Sequence, residues 1–246
     1  MKKAIVMLQQ NYSDYTQADH ETWSILYKRQ LEKIQRVAYD RFEPGLQQLD
    51  FQADRIPRFT QVNEKLKAIT GWTIYAVPGL IDNSVFFERM RLKGFGATTW
   101  IRKREQLDYL EEPDMFHDVF GHVPLLTDPL VCDFLHGLAM IAADHREDAA
   151  VIETLARLYW YTVEFGLVRQ NGQLKIYGAG ILSSIGETGY ALSDAANRVP
   201  FSIEQMITKP VIKDQYQDTY FVLDDMSQLP ASLKEINIKL AQSDVL

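Results

Sequence analysis

Apolar residues recur at spacings of three and four along most of this chain, a period that commits it to packed helices more than to sheets. Trp23, Leu26, Tyr27, Leu31, Ile34, Ala38 and Phe42 lay one stripe and predict a long helix over 20–42, closed by Pro44-Gly45. Phe59, Val62, Leu66 and Ile69 lay a second over 58–70, with Gly71 where a C-terminal cap belongs. Asn83 or Ser84 is placed to cap a short helix carrying Phe86, Phe87 and Met90. Asp128-Pro129 is a strong helix start, a capping acid before a proline at the first helical position. Leu130, Phe134, Leu138 and Ile141 continue that helix, and His136 and His145 ride on its surface or end. Asp148 caps another, with Ile152, Leu155, Leu158, Tyr159, Thr162 and Phe165 buried and Gly166 at its end. Ser184-x-x-Glu187 has the form of a capping box for a short helix reaching Leu192. Strand signals are few: 73–77 before Pro78-Gly79, a hairpin of 167–170 and 173–177 around Asn171-Gly172, and 216–223. No repeat, low-complexity tract or Gly/Ser linker divides the chain. The expected fold is mainly α, or α+β with a few short strands, in a single domain over 1–246.

Composition narrows the function. With 46% hydrophobic residues in 246, the chain supports a sizeable core. A net charge of -7 argues against nucleic acid or an anionic membrane as a main partner. Cys132 is the one cysteine, so no internal disulfide forms, and a lone thiol in an apolar run fits a reducing cytosol. The first eight residues lack the long apolar stretch and cleavage site of a signal peptide. No run of about 18 apolar residues exists to span a membrane. A cytoplasmic globular protein is expected.

Two of the five histidines, His117 and His122, stand five apart in Phe-His-Asp-Val-Phe-Gly-His-Val-Pro. On an ideal α-helix that spacing turns the second side chain by roughly 140° from the first, so a shared metal needs a local break. Gly121 and Pro124 offer one, with His117 on the last helical turn and His122 just past it. Glu164, a lone acid among Tyr159, Trp160, Tyr161, Val163 and Phe165, needs a partner to offset desolvation. Two imidazoles and a carboxylate form the ligand set of non-haem Fe(II) oxygenases and leave coordination positions open. A buried ion pair accounts for Glu164 equally well, and structural roles account for the histidines, so the residues alone leave the choice open. The spacing is not the His-Glu-x-x-His of zinc peptidases. Gly94-Phe95-Gly96 lacks the third glycine and the context of a dinucleotide site, and Ser183-Ser184 suits caps and hydrogen-bond donors better than a nucleophile.

Three longer motifs, in order, carry a resemblance. The segments beginning at Phe116-His117-Asp118, at Tyr159-Trp160-Tyr161 and at Tyr177-Gly178-Ala179 are similar to signatures of the aromatic amino acid hydroxylases. Weaker likeness runs over about 15–225, and the short bacterial phenylalanine 4-hydroxylases are the nearest in pattern. The resemblance implies a phenylalanine 4-monooxygenase that makes L-tyrosine with O2 and a tetrahydropterin at a mononuclear Fe(II). It implies His117, His122 and Glu164 as metal ligands and catalytic residues. Arg102, Trp160 and Ser183 would bind the amino acid, Arg102 through its carboxylate. Gly79, Leu80, Ile81, Phe86 and Asp118 would border the pterin, Phe86 by stacking. Three departures touch the pterin side: Asp118 stands where the animal enzymes carry Glu, Leu110-Glu111 replaces Thr-Pro, and Asn83 replaces Ser. The length suggests a catalytic domain without the regulatory and tetramerisation parts of the animal enzymes, acting as a monomer or weak dimer. Tryptophan or tyrosine hydroxylation remains the alternative within the family. A silent metal- or amino-acid-binding protein is the alternative outside it, and the intact triad and Arg102 argue against that.

Overall fold

In the computed structural model, which describes residues 8–108, 110, 112–213 and 215–243, side-chain caps start six of the described α-helices. Thr16 and Asp19 form a reciprocal capping box that starts α1 (Gln17–Ile34) a little earlier than the apolar stripe predicts. The helix ends at Ile34, well short of 42. Beyond it the Tyr39 amide donates to the Ile176 carbonyl and the Ile176 amide to the Val37 carbonyl, so this stretch pairs with a distant strand. Pro44-Gly45 lies inside α2 (Phe42–Gln48) and does not terminate a helix. Pro44 is the third helical residue, where the missing N–H would have no intrahelical acceptor anyway.

α3 (Phe59–Ile69) closes as expected, with Gly71 at φ +79° just past it. β1 (Thr73–Val77) follows, then α4 (Asn83–Arg91), whose cap is neither Asn83 nor Ser84 but Asp82, accepting from the Ser84 amide. β2 (Gly94–Thr98) has no counterpart among the predicted strands; it pairs with β1 in a two-stranded parallel sheet. Asp128 and Asp148 cap α5 (Pro129–Asp144) and α6 (Ala149–Tyr159) through the amides of Leu130 and of Ala150 and Val151. The hairpin of β3 (Leu167–Gln170) and β4 (Gln173–Ile176) turns at Asn171 and Gly172, both at positive φ. The short helices α7 (Ala179–Leu182) and α8 (Ile185–Ala191) come next. Then follow β5 (Arg198–Pro200), α9 (Ile203–Thr208), β6 (Tyr220–Leu223), α10 (Gln228–Ala231) and α11 (Leu233–Ser243). The four strands order as β4-β3-β6-β5, antiparallel between β3 and β4 and parallel elsewhere. The strand expected over 216–223 is therefore confined to its second half.

Two described segments wind more widely than an α-helix. Phe116–His122 and Trp160–Glu164 are π-helical turns, the second closed by the Phe165 amide on the Trp160 carbonyl. A π-turn bonds i to i+5, so residues five apart come to the same side. The inward side of the first turn is aromatic: Phe116 stacks on Phe120 at 4.6 Å, and both meet α1 and α2 through Trp23, Tyr27 and Phe42. All of these side chains belong to one buried core. No single described helix is long and apolar enough to cross a membrane. One pair, Phe116–Thr127 with Pro129–Asp144, passes on length and composition together but bends by 107°.

Gly121 is present for closeness rather than to end a helix. A Cβ there would meet the Ala179 carbonyl oxygen at 2.9 Å and the Ala179 Cβ at 3.2 Å. Gly121→Ala should therefore force α7 away from the first π-turn and cost about 1–3 kcal/mol of stability. Thermal unfolding checks this, and an unchanged Tm would show that the two elements are not in fixed contact.

Candidate active site

The π-turns explain how two histidines five apart share one side without the helix break that the sequence suggested. His117 and His122 are the second and last residues of one turn, and their Nε2 atoms stand 3.3 Å apart. Glu164, the last residue of the other turn, faces both: Oε1 lies 3.0 Å from His122 Nε2 and Oε2 lies 3.5 Å from His117 Nε2. One donor atom from each residue lies within 4.8 Å of the other two. Burial alone would raise the Glu164 carboxyl, but the facing His122 and His117 imidazoles and hydrogen bonds from His122 and Tyr159 hold it down at about 2.

The tautomer of His117 follows from its other nitrogen. The Ser183 hydroxyl donates to the Ala179 carbonyl at 2.7 Å, so its oxygen is left to accept from His117 Nδ1–H at 2.9 Å. In the neutral imidazole His117 Nε2 then carries the lone pair, the one a metal would take. A hydrogen-bonded imidazole with its second nitrogen bare is the form that binds a metal. The donor set therefore fits a first-row divalent ion on chemistry and on geometry. Behind His122, Tyr159 brings its hydroxyl to 3.5 Å of Nδ1, and the Phe95 ring packs at 4.9 Å.

These groups open into a cavity of about 550 Å³. Gly79, Leu80, Ile81, Phe86, Asp118 and Trp160, all singled out in the sequence, line it together with the three converging residues. Phe86 stands edge-on to Tyr159 at 5.0 Å, so its position is set by packing. Asp118 accepts from the Thr98 amide at 2.7 Å, and burial raises its carboxyl. Arg102 and Ser183 are not in the lining. Ser183 lies behind His117. Arg102 is a buried residue whose Nε and Nη2 grip Asp114 at 2.9 and 2.8 Å.

Asp114, fully buried, is a residue that sequence reasoning missed. It also accepts from the His117 amide at 3.1 Å, which ties the Arg102 ion pair to the start of the first π-turn. An acid three residues before His117 is a helix-capping signal, and that is the clue the sequence offers. Tyr159, expected in the core, lines the cavity as well. Arg157, Glu153 and Lys213 line it too, and nothing in their spacing marks them.

A family model of biopterin-dependent aromatic amino acid hydroxylases matches residues 9–244. The chain belongs to that family. This hydroxylase is 47% identical over 223 residues to phenylalanine-4-hydroxylase of Chromobacterium violaceum, covering 90% of this chain and 75% of that one. It is 45% identical to phenylalanine-4-hydroxylase of Caulobacter vibrioides, covering 90% and 76%. A crystal structure of the C. violaceum enzyme with bound iron(III) and 7,8-dihydrobiopterin superposes with a TM-score of 0.89 at 45% identity, over 96% of this chain and 86% of that one. Another, with bound oxidised Fe(III), gives 0.90 at 44% identity, over 96% and 87%.

The hydrogen bond behind His117 gives this hydroxylase a testable feature. Ser183→Ala removes the acceptor for Nδ1–H and should weaken Fe(II) binding about 10- to 100-fold, the usual effect of losing such a support. An anaerobic Fe(II) titration reads it, with unchanged affinity assigning Ser183 no role in orienting the ligand.

Proposed function

We propose that this chain is a phenylalanine 4-monooxygenase, hydroxylating L-phenylalanine to L-tyrosine with O2 and a tetrahydropterin at one Fe(II) held by His117, His122 and Glu164. The observation that carries the proposal is the convergence of two imidazole nitrogens and a buried carboxylate on an aromatic-walled cavity. The C. violaceum relative, solved with iron(III) and 7,8-dihydrobiopterin, supports the same two cofactors here. Bound iron and tetrahydropterin supply the activation of dioxygen, which no protein side chain can perform.

The chain's own residues do the rest. His117, His122 and Glu164 would hold the metal through one donor atom each and would leave further positions for exchangeable ligands. Ser183 fixes the His117 tautomer. Phe86, with Gly79, Leu80, Ile81 and Asp118 nearby, forms the side of the cavity assigned to the flat pterin. Trp160, which also lines the cavity, is assigned to the amino-acid ring. Its bulk favours a phenyl over an indole substrate, which is the reason for preferring phenylalanine within the family.

Arg102, which stands outside the lining of the cavity, is assigned as the clamp for the substrate carboxylate on the family likeness. Asp114 occupies Nε and Nη2 and so orients the guanidinium, with Nη1 as its remaining nitrogen. The described residues share one core, in keeping with a single catalytic domain. The buried free thiol of Cys132 suits the cytoplasm. We assign the chain to that compartment as a monomer or weak dimer.

The test is tyrosine formation from phenylalanine with Fe(II), O2 and a tetrahydropterin. The iron-loaded protein should form it and the Zn(II)-loaded protein should not, since zinc does not change oxidation state. Arg102→Lys should raise KM for phenylalanine about tenfold to a hundredfold and move the pterin KM far less. Hydroxylation of tryptophan in preference to phenylalanine would move the assignment to the other branch of the family.

A further inference from the structure

The sequence marks Ser184-x-x-Glu187 as a capping box, and the structure completes half of it. The Glu187 amide donates to Ser184 Oγ at 3.2 Å. The Glu187 carboxylate, buried at 6% exposure, does not return to the cap; it accepts from the Gln217 amide at 3.2 Å and from the Tyr220 hydroxyl. Gln217 is thus anchored through its backbone by a buried acid, just before β6. Its own side chain, at 2% exposure, reaches two further groups. Oε1 accepts from Trp160 Nε1 at 3.0 Å, and Nε2 donates to the Ile212 carbonyl at 2.8 Å.

The orientation of this amide is settled by chemistry. An indole N–H only donates and a carbonyl only accepts, so Oε1 must face Trp160 and Nε2 must face Ile212. Both partners border the cavity: Trp160 lines it directly, and Ile212 lies between Val211 and Lys213, which also do. One glutamine therefore joins the indole on the second π-turn to the loop that closes the same side. Trp160 is half-buried, but turning its indole away would leave the buried Gln217 Oε1 unpaired, which is costly. Trp160 also packs on Phe165 at 4.9 Å, so the hydrogen bond chooses among orientations that the rings alone would allow.

We infer that Gln217 is a positioning residue for substrate selectivity: it locks the Trp160 indole in the orientation that limits the ring pocket. The inference rests on the assignment of Trp160 to the amino-acid side of the cavity. Losing this one hydrogen bond corresponds to a change of about three- to tenfold.

The test is a double-mutant cycle between Gln217→Met and Trp160→Phe on the iron-loaded enzyme. Two readouts are taken: calorimetric Kd values for L-phenylalanine and L-tryptophan without turnover, and kcat/KM for both. Gln217→Met keeps the length and volume of the side chain and removes both hydrogen bonds. It should shift the phenylalanine-to-tryptophan preference about three- to tenfold toward tryptophan. In the Trp160→Phe background, where no indole N–H exists, the same substitution should leave the preference unchanged. A general loss of packing would instead lower Tm in both backgrounds and leave the ratio where it was. If Gln217→Met does not fold, Gln217→Asn, one methylene shorter, withdraws the acceptor from the indole and is read the same way. Equal shifts in both backgrounds, or none in the parent, overturn the inference while leaving the hydroxylase assignment intact. A parent enzyme that neither binds phenylalanine nor makes tyrosine overturns the assignment and the inference together.

Discussion

A carboxylate buried among aromatic rings is the constraint around which this structure is arranged. Removing a charged Glu164 from water costs several kcal/mol unless positive charge or donors meet it. The chain meets it with two imidazoles from a segment far back in the sequence, and a third group, Tyr159, from the preceding turn of its own helix. Bringing both histidines to one point requires the first π-turn, and bringing Glu164 to the same point uses a second. π-turns are rare beside the α-helix and concentrate at functional sites. Packing holds them here: Phe116, Val119 and Phe120 are buried on the first, and Tyr161 and Val163 on the second.

Support for the site is layered outward from these contacts. Ser183 orients His117 and is itself oriented by the Ala179 carbonyl, and Gly121 lets α7 come close enough for both. Asp114 anchors the start of the first π-turn and spends both oxygens on Arg102. That pairing couples the group assigned to the substrate carboxylate to the backbone of a metal ligand. A change at Arg102 is therefore felt at the backbone of His117.

Much of this is legible in the residues, for local reasons. Asp128-Pro129, Asp148, Gly71 and Asn171-Gly172 act through their immediate neighbours, and each sits where its chemistry puts it. The three metal-ligand candidates are brought together as the motifs imply. What is not legible depends on distant chain. The apolar stripe runs on to Phe42 because both halves face the same core, but the helix stops at Ile34, where the backbone turns to pair with β4. β2, reading Gly-Phe-Gly-Ala-Thr, has no alternation to betray it: it is buried on nearly every residue between β1, α4 and the first π-turn. Its Gly96 lies where a Cβ would stand 3.1 Å from Val77 Cγ1, so the glycine serves close packing rather than a nucleotide. A π-turn differs from an α-helix by one inserted residue and leaves no mark in composition. Its effect on His117 and His122 is therefore visible in the sequence only as a need for a break.

We propose that these two turns deliver three ligands to one iron. Diffraction at the iron absorption edge from crystals grown anaerobically with Fe(II) tests it most directly. A single strong anomalous peak per chain is expected, within bonding distance of His117 Nε2, His122 Nε2 and a Glu164 carboxylate oxygen. A peak elsewhere on the chain, or none with the imidazoles still paired directly to Glu164, would contradict it.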